Sequence, residues 1–290
     1  MASTLHDTPE RNIPVQRIST TTPMSGVTSH PGLAAWSLGY REWLRFVRQR
    51  NRVIGAIGQP VIFWVFLSAG LQESFTAAGT SDVQFLEYFF PGTMMLIVLF
   101  TAIFTTISVI EDRREGFMQS VLVAPIPRFS LVAGKLAGGA SLAMAQAVVF
   151  LALGLIWGMP FPALGLLAGM AFLLICAVAL TGLGFILAWR MDSVQGFHAV
   201  MSVFLIPMWL LSGAFFPASN PWLAWVMAVN PMTYLMAGFR WLLYLGSEER
   251  IAAGTPGLAV SLLVSFAFCA VMFWASCRIA QARVRGDVRS

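Results

Sequence analysis

Charge is what this sequence has least of. Of its 290 residues 11% are Asp, Glu, Lys or Arg and 58% are hydrophobic, whereas an ordinary soluble domain carries roughly a quarter charged residues. A soluble globular domain is excluded and a polytopic membrane protein is implied. Cysteine is scarce too: Cys176, Cys269 and Cys277 lie within or at the end of apolar runs, so no disulfide framework is expected. His6, His30 and His198 are the only histidines and no acids cluster, so no metal site is expected. No G-x-x-x-x-G-K-[ST] occurs, because Gly134-Lys135 is followed by Leu136 and lacks the upstream glycine. The chain is therefore not expected to bind or hydrolyse ATP itself. It also has no recognition motif or soluble basic module for nucleic acid. Residues 1–32 lack an apolar h-region and are rich in Ser, Thr and Pro, which predicts a disordered cytoplasmic tail and not a cleaved signal peptide.

What fills the chain is a series of apolar runs of membrane length. The expected spans are about 53–71, 89–110, 136–157, 163–189, 199–213 and 257–277. Before them, over 33–52, Trp36, Tyr40, Trp43, Leu44 and Val47 share one helical side, and Arg41, Arg45, Arg48 and Arg52 another. That pattern predicts an amphipathic helix lying on anionic headgroups. Gly154 with Gly158, and Gly165 with Gly169, have the small-xxx-small spacing of close helix packing. Residues 199–246 form an apolar run long enough for two crossings, broken by Phe215-Phe216-Pro217 through Pro221 and by Asn230-Pro231. A second crossing would put Arg278, Arg283, Arg285 and Arg289 outside, so one span followed by an outer re-entrant helical hairpin is expected, with Trp222, Trp225, Tyr234, Trp241 and Tyr244 at headgroup level. The hairpin also holds Arg240, expected to snorkel to the headgroups or to touch an anionic part of a cargo. Six spans with both termini cytoplasmic put 16 of the 18 Lys and Arg inside, the orientation that positive-inside bias demands. Residues 278–290 then form a basic cytoplasmic tail.

Between the second and third runs lies Glu111–Lys135, EDRREGFMQSVLVAPIPRFSLVAGK. Glu111–Leu122 reads as a helical extension of the preceding span. Pro125 and Pro127 break it, and Ser130 is placed to cap the next helix. A helix, a stiff elbow and a second helix make a surface suited to being pushed.

The order of Glu111, Arg114, Glu115, Gly116, Pro125, Arg128, Gly134 and Lys135, with Leu211-Ser-Gly-Ala-Phe-Phe-Pro217, Asn230-Pro231 and Tyr234 further on, resembles the permease subunits of the ABC-2 exporter family. The resemblance covers most of residues 36–277. It implies an all-α transmembrane domain over 53–277 and a loop that docks on a separate ATP-binding cassette ATPase, which holds the ATP and Mg; no cofactor is implied for this chain. It places Glu111, Arg113, Arg114, Glu115, Gly116, Pro125, Pro127, Arg128 and Lys135 in that coupling loop. It also implies a second permease chain, identical or similar, and a hairpin near the exit of an export path. The family's cargoes include hydrophobic drugs, polysaccharides and lipid-linked sugars.

Two other classes stand beside this one. An ion-coupled secondary transporter should carry an ionisable group inside the bilayer, and the six expected spans hold none. An intramembrane enzyme would need a nucleophile, base or metal constellation; Gln59, Thr105, Ser108, Gln146 and Thr181 form none recognisable from sequence. Uncharged spans favour a lipidic, amphipathic or lipid-linked substrate.

Overall fold

The computed structural model describes residues 30–48, 50–71, 85–124, 126–215, 220–246 and 254–287. Among these residues every regular element is helical. Of the expected features, the tail before residue 30, Pro125, Phe216, Pro217, Ser219, Ser247 and Arg289 lie outside the described residues.

Helices α1 (Pro31–Arg48) and α2 (Arg50–Leu71) lead into α3 (Phe85–Phe104), which is sheathed on all sides: Phe89, Phe90, Met94, Met95, Ile97, Val98 and Leu99 have no solvent-exposed surface. A two-residue break at Thr105-Thr106 separates α3 from α4 (Ile107–Arg114). Its cause is local. The Thr105 and Thr106 hydroxyls donate back to the carbonyls of Ala102 and Ile103 at 2.8 and 2.6 Å, and the backbone tightens to i−3 bonds such as Thr106 N to Ile103 O at 2.9 Å. Such bonds compete with the α-helical ladder and bend it. Short α5 (Phe117–Val123) follows, then α6 (Arg128–Ile156), α7 (Ala163–Arg190) and α8 (Val194–Trp209).

At its end α8 unwinds. Pro207 lies in its last turn, and Leu210–Ala214 form a π-helical turn in which Gly213 takes φ +78°, a conformation open to glycine without strain. Asn230 repairs the break: its Nδ2 donates to the freed carbonyls of Met208 and Leu211 at 2.7 and 3.1 Å, while its Oδ1 accepts from Met232 N. That explains the Asn-Pro pair physically. Asn230 ends α9 (Pro221–Val229) and caps α10 (Pro231–Leu243), and both helices start with proline at the first helical position, where its missing N–H costs nothing. Helix α11 (Leu258–Asp287) is the last described element and carries the expected basic tail in helical form as far as Asp287.

Among the described residues five helices are long and apolar enough to cross a membrane: Phe85–Arg114 (α3 with α4), Arg128–Ile156, Ala163–Arg190, Val194–Ala214 and Leu258–Ala282. The expected first span, 53–71, falls on α2, whose apolar stretch is the shorter Pro60–Gly70. Gly55, Gly58, Gln59 and Pro60 dilute its first half. Trp64 anchors it, donating from Nε1 to Leu86 O at 3.2 Å and meeting Phe90, Phe150 and Trp157 edge to face. Gly165 and Gly169 do serve close packing, against Leu243 of α10; Gly154 abuts the Phe90 ring, whereas Gly158 takes φ +85° in a turn with open space around it.

Candidate functional site

The charged segment between α4 and α6 is folded against α1 and the end of α7. Its geometry starts from glycine. A Cβ on Gly134 would sit 2.6 Å from Ala35 O, and one on Gly39 would sit 3.2 Å from Gly134 O. With Gly138 facing Gly39, the backbones of α1 and α6 touch, and Trp43 Nε1 adds a 2.8 Å bond to Ser141 Oγ. Sequence analysis missed this seam, although Gly134 and Gly138 have the same four-residue spacing as the glycine pairs it singled out.

Close approach of α1 brings Glu42 to Lys135. Lys135 is buried and donates to Glu42 Oε1 at 2.6 Å, to Ser108 Oγ at 3.1 Å and to Asp112 Oδ2. Asp112 has no exposed surface, and Arg41 grips it with two bonds of 2.9 and 2.7 Å. Arg45 reaches Asp112 at 3.1 Å, Glu111 at 3.0 Å and Glu115 at 3.5 Å. Three cations, Arg41, Arg45 and Lys135, thus meet four carboxylates, Glu42, Glu111, Asp112 and Glu115. The Arg41 guanidinium also lies 3.8 Å over the Phe117 ring, and its hydrogen bond to Asp112 pushes its pKa above the ordinary arginine value.

Two expectations are corrected here. Arg41 and Arg45 do not point to headgroups; they turn inward, because a buried Asp112 carboxylate is tolerable only when cations and donors surround it. The exposed face of α1 is formed by Trp36, Tyr40, Leu44 and Val47, with Arg48 also exposed. Lys135 is no surface residue of a coupling loop either. It and Asp112 are buried ionised groups inside helices that hold membrane-length apolar stretches, Arg128–Ile156 and Phe85–Arg114. Both lie just outside the expected spans 89–110 and 136–157, in helical segments that run on past those bounds. Counting uncharged runs stops a helix at its first charge, and these helices continue past it.

Arg113 and Arg114 extend the clamp to the turn after α7. Arg113 donates to the carbonyls of Ala188 (3.1 Å), Trp189 (2.9 Å) and Met191, capping the helix C-terminus, where a cation is favoured. Arg114 Nε donates to Asp192 O at 3.0 Å.

Below this clamp the chain stands out from the bundle. Gly116, at φ +77°, ends α4 and divides the continuous helix expected over 111–122 into α4 and α5. Met118 and Val121 hold α5 down, while Gln119 and Ser120 are exposed and Val123 is 86% exposed. Pro127, extended at ψ 141°, is the N-cap of α6, and Arg128 Nη2 ties the elbow back to Leu122 O at 2.9 Å. Ser130 caps nothing: it lies inside the helix, buried, its hydroxyl without a partner.

At the far end of the bundle, Pro221, Asn230, Pro231 and Tyr234 shape α9 and α10, with Tyr234 Oη donating to Ala228 O at 2.8 Å. Arg240 does not snorkel. It is buried, 4.0 Å over the Tyr88 ring, and donates to Tyr88 O and Ala214 O.

Residues 34–244, which span α1, the clamp, the elbow and α10, match the ABC-2 type transporter family. The chain belongs to that family. Relatives of this ABC-2 chain include ycf38 of Cyanophora paradoxa, described as a transport permease, 24% identical over 70% of this chain and 71% of its own. The Inner membrane transport permease YadH of Escherichia coli strain K12 is 23% identical over 63% of this chain and 72% of its own. The "Probable multidrug ABC transporter permease YbhR" of the same strain is 30% identical over 48% of this chain and 39% of its own. This ABC-2 chain is thus a membrane permease of the ABC transporter class.

Proposed function

We propose that this permease exports a lipidic, amphipathic or lipid-linked substrate, of the drug, lipid or polysaccharide class, using ATP hydrolysed with Mg on a separate ATPase subunit. Two permease chains, identical or similar, work with two ATPase subunits. The chain sits in the inner membrane with six spans, α2 being the first, and with both termini and the α4–α6 segment in the cytoplasm. Helices α9 and α10 then form a re-entrant hairpin at the outer face, and the exposed Trp36–Val47 face of α1 rests on the bilayer.

One observation carries the reading: an exposed short helix and proline elbow are joined to four helices through a dense charge clamp. A displacement of α5 by a partner is delivered through Asp112, Lys135 and Glu42 to α4, α6 and α1, and through Arg113 to α7. The surface a partner meets is Gln119, Ser120, Val123 and the elbow, with Glu115 at its edge. The test is export by proteoliposomes holding this chain with and without its ATPase. ATP-dependent export that needs the ATPase supports the proposal.

Buried Asp112 and Lys135 give a specific reason to test a second reading, ion-coupled transport. Their mutual pairing argues against it, since a proton or sodium carrier must release its ion. Transport that collapses with an uncoupler and survives ATP depletion would decide for ion coupling.

A further inference from the structure

Among the described residues, the buried charged side chains are Glu42, Asp112, Lys135 and Arg240. The first three share one ion-pair network with Arg41 and Arg45; Arg240 has no carboxylate within ion-pair distance among the described residues. Its two hydrogen bonds both leave from Nη2, to Tyr88 O at 3.0 Å and Ala214 O at 3.3 Å. Carbonyl dipoles and the Tyr88 ring offset part of its desolvation, and among the described residues no carboxylate cancels its charge.

A second unmet group lies on the same helical face. Thr233, Met236, Ala237 and Arg240 follow one another at i, i+3, i+4 and i+7 along α10. The Thr233 hydroxyl is buried and has no hydrogen-bond partner, an arrangement that costs stability unless something fills it. Thr233 and Arg240 line one cavity of about 20 Å³, with Tyr88, Ser212, Gly213 and Met236 among its walls. That volume holds about one oxygen-sized atom. An anionic oxygen in this cavity supplies what both groups lack, a counter-charge for the guanidinium and an acceptor for the hydroxyl.

We propose that this cavity is an anion subsite that takes one terminal oxygen of a phosphate or carboxylate, the rest of the ligand staying outside. It deepens the reading above and rests on it for the statement that the cavity faces the outer end of an export path. The ligand is either the head of an amphiphile or a free oxyanion.

The test uses the full chain in nanodiscs of zwitterionic lipid, without ATPase, so that it is independent of export. Dodecyl phosphate, dodecanol and inorganic phosphate are titrated, read by thermal unfolding and by the fluorescence of tryptophan. Trp241 is a natural reporter, since its indole bonds to Pro256, another cavity residue, at 2.9 Å. Saturable binding of at least one phosphate and none of dodecanol is expected. Dodecyl phosphate binding far more tightly than inorganic phosphate identifies an amphiphile head; equal affinities identify a free oxyanion. Arg240→Gln should abolish binding, but that variant also loses the bonds to Tyr88 and Ala214. Thr233→Val therefore decides. It removes an unpartnered hydroxyl at constant shape, so unfolding without ligand should stay unchanged or move upward while affinity falls about tenfold, the loss of one charge-assisted bond. Unchanged affinity in Thr233→Val, dodecanol binding as well as dodecyl phosphate, or no saturable binding of either phosphate would each overturn the subsite. Binding as expected with no ATP-dependent export would overturn the exporter reading and leave the subsite standing.

Discussion

Glu42, Asp112 and Lys135 are ionised groups held out of water, and their energetics turn on none of them being alone. Removing one partner of a buried pair costs about 3–5 kcal/mol, because the charge left behind stays desolvated. An exposed pair is worth about 0–1 kcal/mol. The clamp contains both kinds: Asp112 has no exposed surface, whereas the Glu115 side chain is 59% exposed. Asp112→Asn should therefore lower stability by about 3–5 kcal/mol, visible in detergent as a large drop in unfolding midpoint. Glu115→Arg should leave the midpoint nearly in place and cause only a mild defect in ATPase assembly. Equal effects of the two substitutions would mean that burial does not set the strength of this network.

At the scale of elements, the α1–α6 seam and the elbow make separate predictions. Gly134→Ala places a Cβ 2.6 Å from backbone that cannot swing aside, so α1 must move off and Glu42 must leave Lys135. Gly58→Ala, in α2, meets nothing within 4 Å and is the control. Unfolding midpoints should fall for the first and hold or rise for the second, as helix propensity alone favours alanine by up to about 1 kcal/mol. For the elbow, Pro125→Gly with Pro127→Gly should leave the protein inserted and assembled while ATP-driven export falls at least tenfold. The stiffness of fixed proline φ angles is lost, and the clamp is untouched. Full export by that double variant at normal membrane abundance would reduce the segment to a topological loop.

The whole molecule presents lopsided surfaces. Helix α3 is enclosed within the chain, while α11 exposes Val260, Leu263, Phe266, Val271 and Trp274, a face for lipid or a second permease. Crosslinking in membranes with the ATPase present should recover permease dimers; monomers alone would count against the two-chain assembly. Orientation is tested by Ser219→Cys or Ser247→Cys, each expected to react with an impermeant maleimide added to intact cells. Reaction only after permeabilisation would overturn the six-span arrangement.

Sequence by itself determined that the chain is helical and membrane-embedded, where most helices run, that a proline elbow follows the second long run, and that two short helices precede the last. Those features are local: apolar run length, proline and glycine positions and charge bias are read residue by residue. It could not show that Arg41 and Arg45 face Asp112, 71 and 67 residues away, or that Lys135 is buried. Helical periodicity places residues on a face without saying what that face meets, and a charge at the end of an apolar run looks the same whether it ends in water or in another helix's carboxylate. Tertiary structure decided these points because desolvating an ion is favourable only beside its partner, and the partner is supplied by a glycine-lined approach between helices far apart in the chain.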